Sequence, residues 1–205
     1  MSQIYPLFAS PLIVNIINLN TYKLEKDIKS FDKIEFEKIG SEGGCQITTN
    51  RRILKEYPKL KNSILNEFKK TIKDNFKYDN DFMITTSWVV KTPFEAYGQS
   101  HCHKNSFYSG IYYFGEYPKD CGNLEIESPI LHHTDFLILP TEYDFNTSTN
   151  YTVYPQSNLL IFFPSYLRHR ITKNKNQSTR YSLAFNIVPL GEYGNVDSTY
   201  NTSWT

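Results

Sequence analysis

From Asp81 to Pro189 the chain breaks into short runs rich in β-branched and aromatic residues: DFMITTSWVVKT, SFYSGIYYF, GNLEIES, FLILP, NLLIFFP, HRITK and RYSLAFNIVP. Each run is bounded by Gly, Pro or Asn. Short strands separated by turn signals predict a sandwich or barrel. The first 80 residues are patterned differently. Residues 1–20 are apolar, interrupted by Pro6 and Pro11, and read as a strand. From Tyr22, the apolar residues Leu24, Ile28, Phe31 and Ile34 predict a helix. GSEGGCQITTN, residues 40–50, is Gly-rich and polar and reads as a loop. Pro58 then stands where a helix tolerates proline, in its first turn. Leu60, Ile64, Leu65, Phe68 and Ile72 follow with Lys and Asn between them, an amphipathic helix able to cover a sheet. The expected architecture is α+β: N-terminal helices packed on one sheet of a mainly antiparallel double-sheet roll. We expect a single domain over 1–205, with 1–80 as a helical support region and 81–205 as the jelly-roll core.

Composition narrows the function classes. Hydrophobic residues make up 40% of the 205 and aromatics 16%, enough for a sizeable core. The formal net charge is +1, and no basic patch stands out, so a nucleic-acid partner is not expected. The densest basic stretch, NEFKKTIKDNFK, alternates lysines with apolar residues and reads as the wet face of a helix. Cys45, Cys102 and Cys121 form no CxxC pair, which excludes a disulfide framework and a thiolate zinc site. A reducing, cytoplasmic setting follows. The apolar N-terminus lacks a basic flank and reads as neither a signal peptide nor a membrane span. An exposed sheet edge would offer a pairing surface for a homodimer.

The five histidines all fall in the strand-rich part: His101, His103, His132, His133 and His169. Residues i and i+2 of a strand share a face, roughly 6.5 Å apart. His101 and His103 meet that condition, and a jelly roll can bring His169 opposite them. Three nitrogen ligands on one face would leave the other positions of a metal open. Spacing alone does not separate this from two histidines hydrogen-bonded in a polar groove. Downstream, Arg180, Ser182, Ala184 and Asn186 share one strand face, and an arginine there can clamp a carboxylate bidentately. Read alone, a surface arginine explains it equally. Tyr113 shares parity with the histidine pair and Tyr112 does not. Trp88 reads as core, Gly110 and Gly122 as backbone accommodations, and Arg168 and Arg170 as solvated.

The ordered series HCHKNSFYSGIYYF, GNLEIESP, NLLIFFPSYLRHRI and RYSLAFNI resembles the 2-oxoglutarate/Fe(II)-dependent oxygenases of the pattern HxHxxSxxSGxYY…GxLxFxxP…FPSxLxHxV…RxSxxFN, found in marine bacteria and their phages. Ile126 and Ile171 replace the Phe and Val of that pattern. The N-terminal LFASPLIV and GGCQITTN also resemble the family. The resemblance implies a double-stranded β-helix, a cupin-like jelly roll, binding Fe(II) through His101, His103 and His169. It implies 2-oxoglutarate as co-substrate, its far carboxylate on Arg180 with Ser182 and Tyr113 as hydrogen-bond partners. It implies dioxygen as the oxidant, hydroxylation of a protein side chain such as proline or of a small metabolite, and release of succinate and CO2. It also implies a bacterial cytoplasm, or a host cytoplasm for a phage-encoded chain. The broader superfamily usually presents His-x-Asp…His, whereas His103 stands at the carboxylate position here. A carboxylate from Glu125 or Glu127, which share one strand face, or the His-x-Asp formed by His133 and Asp135, is the alternative. Two other functions stay open: a three-histidine cupin-like dioxygenase without 2-oxoglutarate, and a non-catalytic β-roll binding or structural protein.

Overall fold

The structure, a computed structural model, describes residues 9–30, 33–40, 42–130, 139–144 and 147–203. In chain order its elements are β1 (Ile13–Ile16), α1 (Tyr22–Lys29), β2 (Phe36–Lys38), β3 (Gln46–Thr48), a 3-10 turn (Ile53–Lys55), α2 (Pro58–Phe76), β4 (Asp81–Thr92), β5 (Gly98–His101) and β6 (Tyr108–Tyr113). Then follow β7 (Leu124–Glu127), β8 (Asn150–Val153), β9 (Leu159–Pro164), β10 (His169–Ile171), β11 (Arg180–Tyr193) and β12 (Tyr200–Thr202). A major sheet runs β1-β9-β6-β11-β4-β3-β2, with β12 paired to β11; a minor sheet runs β5-β10-β7-β8. The strand pairs within both sheets are antiparallel.

The major sheet is covered on both faces, which explains why β9 and β6 read as near-continuous apolar runs rather than clean alternation. On one face Leu160, Phe162, Leu183 and Phe185 pack under α2, which contributes Leu60, Ile64, Phe68 and Ile72. Those four helix positions repeat every four residues and are at most 4% exposed. Phe68 anchors the helix, with ring centroids 5.1 Å from Phe82, 5.3 Å from Tyr108 and 5.2 Å from Phe162. Deleting a phenylalanine of this kind costs about 3–5 kcal/mol. Gly110 lets the sheet accept the Phe185 ring: a Cβ there would lie 2.4 Å from it. On the opposite face Ile111, Tyr113, Leu159, Ile161 and Phe163 meet Leu124, Ile126 and Val153 of the minor sheet. This is the sheet-on-sheet layer of a jelly roll, and the site lies in it.

Several elements differ from the sequence expectation. The strand expected over 1–20 is confined to Ile13–Ile16 among the described residues, and residues 1–8 lie outside them. The helix from Tyr22 ends at Lys29, where Ser30 turns extended, rather than continuing to Ile34; Phe31 lies outside the described residues. The stretch read as a loop over 40–50 contains β3, and β1, β2 and β3 all join the major sheet. β5 and β8 stand where no strand was expected. Of FLILP, residues 136–138 lie outside the described residues, as do His132, His133 and Asp135. The three cysteines are free. No helix among the described residues is long and apolar enough to cross a membrane.

Candidate active site

Antiparallel pairing sets His169 of β10 directly opposite His101 of β5. His103, just past the end of β5, is fixed by its backbone N–H, which donates to the Ser165 carbonyl at 3.0 Å. Ser165 is itself held by a buried polar chain: its hydroxyl lies 2.8 Å from that of Ser109, which donates to Asn186 Oδ1 at 2.8 Å. The three imidazoles form a triangle with centroid separations of 4.9, 4.5 and 5.2 Å. Their ligand nitrogens lie within 4.8 Å of one another, the metal-capable group of three among the described residues.

The rings are prepared for ligation. A carbonyl oxygen only accepts, so the contacts His101 Nδ1 to Gln99 O (2.8 Å) and His169 Nδ1 to Leu167 O (3.0 Å) place the proton on Nδ1. Each Nε2 lone pair is thereby left free, the usual second-shell arrangement of a metal-ligating histidine. Burial lowers His169 to about 3, assisted by His101, and lowers His103 to about 4 for the same reasons. Both are neutral at physiological pH, as metal binding requires.

Arg180 is 2% exposed. The reading of a surface arginine is therefore corrected: Arg180 lies buried on the strand face it shares with cavity-lining Ser182, and its guanidinium sits over the Tyr113 ring at 5.2 Å. All three guanidinium nitrogens, and the Tyr113 hydroxyl, are buried without a hydrogen-bond partner. An unpaired charge in a protein interior is costly, so a buried arginine of this kind marks a place for an anion. Burial raises the Tyr113 pKa, opposed by the Arg180 charge, and keeps the phenol a donor. Ser182 is 1% exposed and lines the cavity. Tyr112, on the other face, accepts from Leu19 N–H at 3.0 Å beneath α1.

Glu125, the alternative carboxylate ligand, is set apart by register. It pairs with Arg170, while its neighbour Ile126 pairs with His169, so Glu125 faces the opposite side of the minor sheet. Its carboxylate is held by Arg170 at 2.7 Å. Arg168, expected to be solvated, is exposed, and it donates to the Ser100 carbonyl at 3.0 Å and hydroxyl at 3.1 Å and pairs with Glu127 at 3.4 Å. This clamp bears on the residue preceding His101. Trp88, expected in the core, is half-buried, lines the cavity and lies 5.4 Å from the His103 ring. The β11–β4 register puts it there: Trp88 pairs with Ala184, on the Arg180–Ser182 face of β11.

Residues 86–186 match the family model described as "Putative 2OG-Fe(II) oxygenase". Over those residues the chain carries a 2-oxoglutarate/Fe(II) oxygenase-family domain. Solved structures share the fold at low identity. A 2OG-Fe(II) oxygenase-family oxidoreductase from Burkholderia pseudomallei matches with TM-score 0.59 at 10% identity, covering 86% of this chain and 83% of that one. A Pseudomonas putida prolyl-4-hydroxylase matches with TM-score 0.54 at 15% identity over 86% and 91%. HygX from Streptomyces hygroscopicus, solved with nickel, 2-oxoglutarate and hygromycin B, matches with TM-score 0.58 at 12% identity over 88% and 83%. No curated protein matches the sequence. The oxygenase family uses Fe(II) and 2-oxoglutarate, and the donors present fit both: three converging imidazoles for the metal, and a buried guanidinium two positions from cavity-lining Ser182 for a carboxylate.

Proposed function

We propose that the chain is a hydroxylase, a single domain in which His101, His103 and His169 hold Fe(II) and Arg180, Ser182 and Tyr113 hold the far carboxylate of 2-oxoglutarate. The observation that carries this reading is the buried, unpartnered Arg180, two positions along β11 from Ser182, which lines the cavity where three imidazoles converge. Iron with 2-oxoglutarate and dioxygen supplies an oxidant strong enough to hydroxylate a C–H bond, releasing succinate and CO2. The protein's own contribution is positional. The Gln99 and Leu167 carbonyls orient two of the rings. Ser165 fixes the third through its backbone. Arg180 neutralises a carboxylate in a place where water is excluded, and such a pairing sets both register and orientation. Leu124, Ile111 and Phe163 keep the space between dry. The substrate is a protein side chain or a small metabolite.

The arginine also separates this reading from a cupin-like dioxygenase that needs no 2-oxoglutarate, since that enzyme has no use for an unpartnered buried cation. Calorimetric titration of 2-oxoglutarate into Ni(II)-loaded protein tests it. Saturable binding that requires both the metal and Arg180 is expected. Metal binding with no 2-oxoglutarate heat would favour the cupin-like enzyme.

A further inference from the structure

The cavity lined by the three histidines and Ser182 has a volume of about 320 Å³, at the small end of the range for ligand sites. If it also accommodates the co-substrate, as the reading above requires, little of it is left. Its apolar lining includes Ile39, Ile47, Val90, Trp88 and Tyr97, and of these Trp88 lies against the His103 ring. Ile47 and Val90 form a small cluster with Ala184, against which Trp88 packs. Apart from the histidines, Glu42 is the single ionisable acid or base among the described lining residues that carries a charge at neutral pH. It is exposed at the rim and accepts from Gln99 Nε2 at 3.4 Å.

Glu42 is not on a free arm. The next residue, Gly43, has φ +87°, and a Cβ built on it would fall 2.4 Å from the Tyr97 carbonyl oxygen. Its own carbonyl accepts the Tyr97 N–H at 2.6 Å. Only glycine combines that conformation with that approach. The 42–45 segment is thus seated on Tyr97 and forms a fixed outer wall.

We propose that this site, as a 2-oxoglutarate oxygenase site, takes a side-chain-sized, uncharged apolar group presented by a larger molecule, seated against Trp88, with Glu42 selecting neutral or cationic flanking groups over anionic ones. A polar or charged group inserted between Trp88, Ile47 and Val90 would lose its water against a wall whose only polar side-chain atom is the Trp88 indole N–H. A bulky ring system would not fit beside the co-substrate. A carrier with positive charge next to the inserted group meets Glu42, and a negative one is repelled by it. The carrier itself remains outside, where the rim is open.

Trp88 supplies the readout. The chain has two tryptophans, Trp88 and Trp204, so a Trp204→Phe background isolates the cavity fluorophore. Ni(II)-loaded protein is first titrated with 2-oxoglutarate and then with acetylated tripeptide amides. Their central residue is Leu, Pro, Asn or Glu, and their flanks are Lys or Glu. Leu or Pro centres should bind at least about tenfold tighter than Asn or Glu, because an apolar pocket rejects unpaired polar groups. Lys flanks should beat Glu flanks by about two- to fivefold, as expected for an exposed charge pair. Glu42→Lys should reverse the flank preference and leave the 2-oxoglutarate response intact. Gly43→Ala should weaken peptide binding without changing 2-oxoglutarate binding. Equal or tighter binding of the Asn or Glu centres would overturn the proposal, as would a 2-oxoglutarate response with no peptide response at all. Absence of the 2-oxoglutarate response itself would instead overturn the oxygenase reading, and the proposal with it.

Discussion

At the histidine end of the site, polar groups are provided for: His101 and His169 each donate from Nδ1 to a carbonyl, His103 is anchored through Ser165, and a clamp from Arg168 bears on the strand that carries His101. At the arginine end, three guanidinium nitrogens and one phenol are buried with nothing to bond. The two ends therefore prepare for their ligands by opposite means. The first directs lone pairs into a shared space and removes the protons that would compete with a metal. The second holds an uncompensated charge that only an incoming anion relieves. The first is a geometric device, sensitive to small displacements of short strands. The second is an electrostatic device, and it should weigh on the stability of the free protein.

The contrast is broken most completely at the metal. His103→Ala should abolish specific metal binding, a larger effect than the ~10–100-fold that follows loss of a supporting residue. Equilibrium dialysis against Co(II) or Ni(II) reads it. His103→Asp should retain binding, since it recreates the two-histidine, one-carboxylate set.

Arg180→Met comes next and carries a sign that a purely structural arginine would not give. Without 2-oxoglutarate the variant should be more stable than the parent by about 1–4 kcal/mol, because an unpaired buried charge is replaced by apolar volume. Thermal melts check this. Its 2-oxoglutarate affinity should fall by about 2–5 kcal/mol, roughly 30- to 5,000-fold, with metal affinity unchanged. A destabilised Arg180→Met would contradict the reading of Arg180 as an anion seat.

Arg168→Ala should reduce metal affinity by about 10–100-fold through loosening of β5, with partial rescue by Arg168→Lys and little change in circular dichroism. The smallest effect is expected for Tyr113→Phe. Arg180 already neutralises the carboxylate, so loss of the phenol should cost about 0.5–1.5 kcal/mol in 2-oxoglutarate affinity and nothing in metal affinity.

These two ends were unequally legible in the sequence. The long strands β4 and β11 announce themselves, because each buries apolar residues at several successive turns of the pleat, β11 from Arg180 to Ile187. The His-x-His pair and the Arg180–Ser182 stripe were visible through strand parity. β5 was not: GQSH has no apolar residue to alternate, and it is a strand because β10 pairs with it. β3 hid behind two glycines whose role is to seat the chain on Tyr97. Arg168 looked solvated because its partners, Ser100 and Glu127, are 68 and 41 positions away along the chain and meet it only through the minor sheet. The burial of Arg180 was equally out of reach, since an arginine heading a strand is usually at the surface. Trp88 was out of reach as well: only the β11–β4 register sets it opposite Ala184 and so on the cavity face.

The central claim is that one site holds Fe(II) through three histidines and 2-oxoglutarate through Arg180. The most direct test is anaerobic addition of Fe(II) and 2-oxoglutarate to metal-free protein while the visible spectrum is followed for the weak charge-transfer band of the chelate. The account predicts a band that disappears in His103→Ala and needs far more 2-oxoglutarate in Arg180→Met. A band that survives His103→Ala unchanged, or Fe(II) binding with no band at any 2-oxoglutarate concentration, would contradict it.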